Sequence, residues 1–334
     1  MSRCIVFLHL VIFLLMLTGA FGSSATDFND NDFGDVNIDD GMPIASDLLD
    51  LEILENSTES SLQSNSSGPV HAIIGGWEVA PHKYPFIVSL QLHSVKTGEK
   101  NFHFCAGSLI SSVHVLTAAH CLTDVFGKAN QPANTFHVGI GLHNRKPNNN
   151  AHYFKVKRIQ IHHGFRGQLN KFLDDIALLT LSSSVARRRR GQKALNARAI
   201  ALPTGPKDDV KPGQTVRAVG WGLTREYILG LTNTTPLRLM GAQFTVISPT
   251  ECAKRLTEEL TVTKLCIDSS KTASCKGDSG GPLFRQLRSG KFQLVGIASY
   301  FNGNCRQAGS ANVFTRVSHY TEWVRTAMRN PQYT

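Results

Sequence analysis

Gly277-Asp278-Ser279-Gly280-Gly281-Pro282 sets a single hydroxyl among glycines. A serine in that setting is presented on a tight turn, and its small neighbours let another backbone approach it closely. Alone it reads equally well as an ordinary turn. Two further stretches supply what such a hydroxyl needs to become a nucleophile, a base and a group that orients the base. Leu116-Thr-Ala-Ala-His120-Cys121 places a histidine after an apolar strand, and Asp174-Asp175-Ile-Ala-Leu-Leu places a carboxylate at the mouth of another.

Around these stretches, from residue 73 onward, the chain alternates short apolar runs with Gly, Pro and Asn. Phe86 to Leu92, Ala106 to Ile110, Val113 to Leu116, Ile176 to Leu181, Val216 to Val219 and Phe292 to Ile297 are predicted strands. Helical spacing emerges at the end, where Tyr320, Trp323, Val324, Ala327 and Met328 recur on one face and Arg325 and Arg329 suit a helix C-terminus. Many short strands with one terminal helix predict an all-β body.

The preceding part differs in kind. In residues 1–22, Arg3 precedes an apolar run from Ile5 to Leu17, and Ala20-Phe21-Gly22 offers a small-residue cleavage site, which together predict a signal peptide. No other apolar run is long enough for a membrane span of about 20 residues. Residues 23–72 hold eleven acidic and no basic side chains, no cysteine, and the glycosylation acceptors Asn56 and Asn65. That composition predicts an acidic, disordered propeptide. Thirty-four of the 35 basic residues but fourteen of the 25 acidic ones lie from residue 73 on, so the body carries +20 against −11 in the leader. The leader therefore either docks on the body electrostatically or stays solvated and keeps the precursor soluble. Of seven cysteines, Cys4 leaves with the signal peptide, and Cys105, Cys121, Cys252, Cys266, Cys275 and Cys305 remain. An even number in an exported chain suggests three disulfides, for which six cysteines allow 15 pairings. A zinc site is the weaker alternative, because there is neither a CxxC pair nor an HExxH helix.

Taken with Ile73-Ile-Gly-Gly, Phe104-Cys-Ala-Gly-Ser-Leu-Ile, Gly220-Trp-Gly and Ser299-Tyr300, the three stretches make residues 73 to about 329 resemble a trypsin/chymotrypsin-family serine peptidase. The chain order His, Asp, Ser agrees with that family and differs from subtilisin and the α/β-hydrolases. The resemblance implies two antiparallel six-stranded β-barrels with a C-terminal helix, residues 73–334 forming the peptidase domain, and an active site in the cleft between the barrels. It also implies a triad of His120, Asp175 and Ser279, with Asp175 preferred to Asp174 because it directly precedes the apolar run. The Gly277 and Ser279 N–H groups become the oxyanion hole, and Ser299 the partner of the substrate backbone. The implied disulfides are Cys105–Cys121, Cys252–Cys266 and Cys275–Cys305. Protein substrates and protease inhibitors are the implied partners, and no cofactor is called for.

Activation is expected at Ala72–Ile73, where the freed Ile73 ammonium would pair with Asp278. Ala72 departs from the Arg or Lys that the family commonly carries before the cut, so a trypsin-like convertase should not activate this chain. In the specificity pocket, the Asp of trypsin-like members aligns with Ala273, and two positions usually Gly align with Phe301 and Asn312. Phe301 should narrow the mouth and Asn312 fill the interior, which argues for small residues such as Ala, Ser or Val, as in an elastase. Two other pockets stay open: one closed until Phe301 moves, and an acid-directed one using Asn312 and Lys276. Arg187, Arg188, Arg189 and Arg190, with Lys193 and Arg198, form a polyanion or glycosaminoglycan site, a processing site, or a solvated loop. Asn233 is a further glycosylation acceptor, and the His162-His163 pair, lacking metal-type spacing, is assigned to the surface. The whole is thus expected to be a secreted, extracellular endopeptidase. The competing class is a polyanion- or partner-binding protein on a protease scaffold whose pocket is largely occluded.

Overall fold

Thirteen strands and two helices are visible in the computed structural model, which describes residues 73, 75–92, 102–146, 152–186, 195–223, 235–301, 305, 311–330 and 332. The signal peptide, the acidic leader with Asn56, Asn65 and Ala72, the Arg187–Arg190 run, Lys193 and Asn233 lie outside the described residues. The first body is built from β2 (Ile87–Leu92), β3 (Phe102–Leu109), β4 (His114–Thr117), β5 (Phe136–Ile140), β6 (His152–Ile161) and β7 (Ala177–Leu181). They close into an antiparallel barrel in the order β2-β3-β4-β7-β6-β5. Closure pairs every edge and fills the interior with Val88, Leu90, Leu116, Ile140 and Leu178, all fully buried.

The second body is a sheet in the order β1-β9-β8-β11-β12-β13-β10. Its strands are β1 (Trp77–Glu78), β8 (Thr215–Gly220), β9 (Met240–Thr245), β10 (Lys264–Asp268), β11 (Pro282–Gln286), β12 (Phe292–Phe301) and β13 (Ala311–Arg316). The expected second six-stranded barrel is thus present as six consecutive strands joined by β1, which adds itself to β9 through Trp77 and Glu78. An isolated antiparallel bridge, Val246 to Ile267, brings the ends of β9 and β10 together without completing a ladder.

Two helices flank the strands. Helix α1 (Pro249–Leu256) was not predicted, yet its start is written in Ser248-Pro-Thr-Glu251: Ser248 Oγ accepts the Glu251 N–H at 3.1 Å and proline occupies the first turn. Helix α2 (Thr321–Arg329) buries Trp323, Val324 and Ala327 as its periodicity requires. Among the described residues no helix is long and apolar enough to cross a membrane.

What joins the bodies is an aromatic knot. Tyr84 and Phe86, just before β2, meet Phe284 of β11 and Phe292 of β12 with centroids 5.0 to 5.9 Å apart in tilted or edge-on contacts. Three disulfides, Cys105–Cys121, Cys252–Cys266 and Cys275–Cys305, add loop constraints over separations of 16, 14 and 30 residues. Because Phe284 is fully buried within the knot, Phe284→Ala should cost about 3–5 kcal/mol in denaturant unfolding. A loss below about 1 kcal/mol would show that the knot does not hold the bodies together.

Candidate active site

The end of strand β4 delivers His120. After Thr117 the chain leaves the strand into a 3₁₀ turn, Ala119–Leu122, with Ala118 and Ala119 fully buried. Thr117 Oγ1 donates to Ala106 O at 2.8 Å, and the Cys105–Cys121 bridge ties the same turn to β3. Asp175 stands just before β7, which pairs with β4, so that Thr117 and Ala177 are cross-strand partners. Its carboxylate is completely buried. Oδ1 accepts the His120 backbone N–H at 2.9 Å, and Oδ2 accepts His120 Nδ1–H at 2.8 Å. With Nδ1 carrying the proton, Nε2 is left to act as a base.

A third bond reaches Asp175 from the other body. Ser299 Oγ donates to Oδ2 at 2.5 Å. The β12–β13 register slips between Ala298 and Tyr300, making Ser299 the bulged residue, and the bulge turns its hydroxyl toward Asp175. Thr315 Oγ1 also donates to the Asp175 carbonyl at 2.7 Å. Burial opposes charging the imidazole, but the Asp175 charge and hydrogen bond outweigh it and hold the pKa of His120 above its ordinary value. Neighbouring Asp174 has φ +57° and accepts the Tyr320 hydroxyl at 2.6 Å, a turn role distinct from that of Asp175.

Ser279 rides on the glycine turn. A Cβ on Gly280 would lie 2.2 Å from Thr117 Oγ1 and 2.5 Å from Ala106 O, so only glycine lets the turn rest against the strand end leading to His120. Gly277, at φ +92°, shapes the other side. Asp278 N–H is donated to Cys275 O, Gly280 N–H to Ala298 O and Gly281 N–H to Asp278 O. Among the described residues the N–H groups of Gly277 and Ser279 are donated to none. No hydrogen bond among the described residues joins Ser279 Oγ to His120, a bond that in sites of this kind commonly tightens only with substrate.

A polar wire behind this turn went unread in the sequence. Gln91 Nε2 donates to Ser89 Oγ (2.9 Å), Ser89 Oγ–H to His103 Nδ1 (2.8 Å), and His103 Nε2–H to Gly277 O (3.1 Å). Burial holds His103 well below the usual histidine pKa, keeping it neutral and able to play both parts. The alternation in Phe86-Ile-Val-Ser-Leu-Gln-Leu signalled the strand; nothing in it signalled that the polar face would be buried too.

The family model described as Trypsin matches residues 73–324. The chain belongs to the trypsin family. It is accordingly a serine endopeptidase, acting on protein substrates. Among its relatives, Granzyme M of Rattus norvegicus is 32% identical over 258 residues, covering 76% of this chain and 88% of the relative. Proclotting enzyme of Tachypleus tridentatus is 30% identical over 269 residues, covering 77% of this chain and 66% of the relative.

Beside the triad positions of this trypsin-family chain lies a cavity of about 20 Å³, lined by Ser279, Ser299, Phe301 and Asn312 among others. Ala273 does not line it. It is fully buried in a cluster with Leu223, Cys275 and Cys305, and Phe301 packs against that cluster. Lys276 is exposed, with only its carbonyl engaged, by Leu223 N–H. His162, assigned to the surface, is tucked under α2 against Tyr320 and Trp323; His163 is the exposed member of the pair.

Tyr300 is engaged through both its ring and its hydroxyl. Its ring stacks on Phe172 at 5.7 Å, and Phe172 meets His120 edge-on at 6.0 Å. Its hydroxyl donates to Glu258 and accepts from Lys264 Nζ at 2.6 Å, while Lys264 Nζ also donates to Lys171 O at 3.1 Å. Burial of the phenol and the bond to Glu258 raise its pKa, so it remains a neutral phenol, while burial lowers that of Lys264 against the pull of Glu258.

Tyr300→Phe should destabilise the protein by about 1–3 kcal/mol, because buried Lys264 and half-buried Glu258 lose their shared partner; an unchanged thermal midpoint would contradict it. The pH dependence carries a sign. As the candidate base, His120 must be neutral to act, so the acid limb of kcat/KM should lie above the ordinary histidine pKa of about 6.5. Asp175→Asn should cut kcat by about 10⁴ and move the residual limb to lower pH. A limb left in place would show that Asp175 does not set the pKa of His120.

Proposed function

We propose that the chain is a secreted zymogen whose activated form hydrolyses peptide bonds through an acyl-enzyme after small residues. Ser279 Oγ attacks the scissile carbonyl carbon as its proton passes to His120 Nε2. The negative oxygen of the tetrahedral intermediate accepts from Gly277 and Ser279 N–H, each worth roughly 3–4 kcal/mol of transition-state stabilisation. The C–N bond then breaks as the leaving amine takes the proton from His120; water, deprotonated by the same imidazole, attacks the acyl carbon, and Ser279 Oγ departs with that proton as the acid is released. Asp175 stays ionised throughout, holding the imidazole and stabilising its charged form. The observation that carries this is the buried Asp175 carboxylate engaging both His120 N–H groups at 2.8 and 2.9 Å.

For activation, the support is the state of Asp278. Its carboxylate is buried, accepts Gly222 N–H at 2.9 Å and Cys275 N–H at 3.0 Å, and burial pushes its pKa up to about 6 against those two bonds. Among the described residues no cation pairs with it. Cleavage of Ala72–Ile73 would provide one, and the Ile73 side chain is already fully buried among Val210, Val216 and Met240. Pairing of the new ammonium with Asp278 would then fix the Gly277–Ser279 turn. Three disulfides favour an oxidising, extracellular setting. The narrow cavity behind Phe301 favours Ala, Ser or Val at P1, the residue whose carbonyl is attacked.

A substrate-library profile of protein cut after Ala72, run beside the uncut chain and a cut Ser279→Ala control, tests the scheme. Turnover after small residues in the cut wild type alone is expected. Cleavage after Arg or Phe would overturn the pocket reading, and equal turnover by the uncut chain would overturn activation.

A further inference from the structure

Asn312 is an unusual residue to find in this cavity wall. It sits on β13, an interior strand of the second sheet, paired with Phe301 on one side and Ile267 on the other, and is 2% exposed. Its surroundings in the cavity are mixed, with Ala298, Val313 and Phe314 on the apolar side and Ser274, Ser279 and Ser299 on the polar side. Its Oδ1 accepts the Ser274 backbone N–H at 2.9 Å. Since that partner is a donor, the amide orientation is fixed and Nδ2 is the atom left over. Nδ2 is buried and has no acceptor among the described residues. Buried amide donors are nearly always satisfied, and each exception calls for a reason. Holding Ser274 does not supply one, because that task uses only the oxygen.

We propose that Asn312 Nδ2 is a specificity donor for the P1 side chain, and that the preferred P1 residues are small and carry a neutral oxygen acceptor. Threonine and serine are therefore cut in preference to valine and alanine. This rests on the small-residue reading above and deepens it. A P1 side chain that enters this small cavity displaces the water Nδ2 could use, so the donor must bond to P1 or be left unpaired. Valine and threonine have nearly the same shape, and they differ in whether that bond is made. Sites built to bond a substrate hydroxyl reject the apolar isostere far more strongly than apolar pockets separate sizes. Among the described residues no Lys, Arg or His lines the cavity. A P1 carboxylate would gain the bond but bring an unneutralised charge, so aspartate should rank below threonine.

The test is kcat/KM of the full chain cut after Ala72 on peptides identical except at P1, in the pairs Ser/Ala, Thr/Val and Asn/Leu. In each pair the oxygen-bearing member should be favoured by about tenfold or more, and Asn312→Val should bring the ratio to near unity. Should that variant fail to fold, the wild-type ratios decide alone. Ratios at or below unity in the wild type overturn the donor role, even if small residues remain preferred. If Asn and Leu are cut far faster than the smaller pairs, the size reading fails, while the ratio within each pair still judges Asn312. Absence of turnover on all six overturns both.

Discussion

A completely buried carboxylate governs the architecture of this protein. A charge withdrawn from water persists only if the chain surrounds it with donors, and Asp175 obtains two from His120, one from Ser299 and a further bond at its carbonyl from Thr315. His120 and Asp175 belong to the first barrel; Ser299 and Thr315 belong to the second sheet. Solvating this one group therefore requires both bodies at a single separation and orientation, which is why the cleft has a defined geometry.

Apolar contact supplies the energy that the polar contacts direct. The Tyr84, Phe86, Phe284 and Phe292 knot closes the bodies on one another without specifying register. Register comes from directional groups: the Ser299 bulge, and the wire from Gln91 through Ser89 and His103 to the Gly277 carbonyl. That wire begins on the polar face of β2 and ends on the turn bearing Ser279. The barrel thus holds the loop of the other body by two carbonyls, Gly277 O through His103 and Ser279 O through the Ala106 N–H, and among the described residues leaves the Gly277 and Ser279 N–H groups undonated.

The substrate side is where this chain parts from the family pattern. Phe301 packs against the cluster holding Ala273, Asn312 faces the remaining cavity, and Tyr300 carries a hydroxyl into a buried cluster with Glu258 and Lys264.

From sequence alone, six strands, the terminal helix and the three residues His120, Asp175 and Ser279 were legible, because period-two alternation, helical spacing and glycine-flanked motifs are local properties of the chain. Helix α1 was legible too, in Ser248-Pro-Thr-Glu251, though it went unread. Strands such as β5 and β10 are too short and mixed in composition to declare themselves. Only the tertiary structure decided that the polar face of β2 is buried, that Ser299 binds Asp175, that Phe301 packs against the cluster holding Ala273, and that Asn312 spends its oxygen and keeps its nitrogen. Those are relations between residues tens to more than a hundred positions apart. Hydrogen-bond satisfaction and excluded volume act through space, and the order of residues along a chain does not record which distant groups will share a buried site.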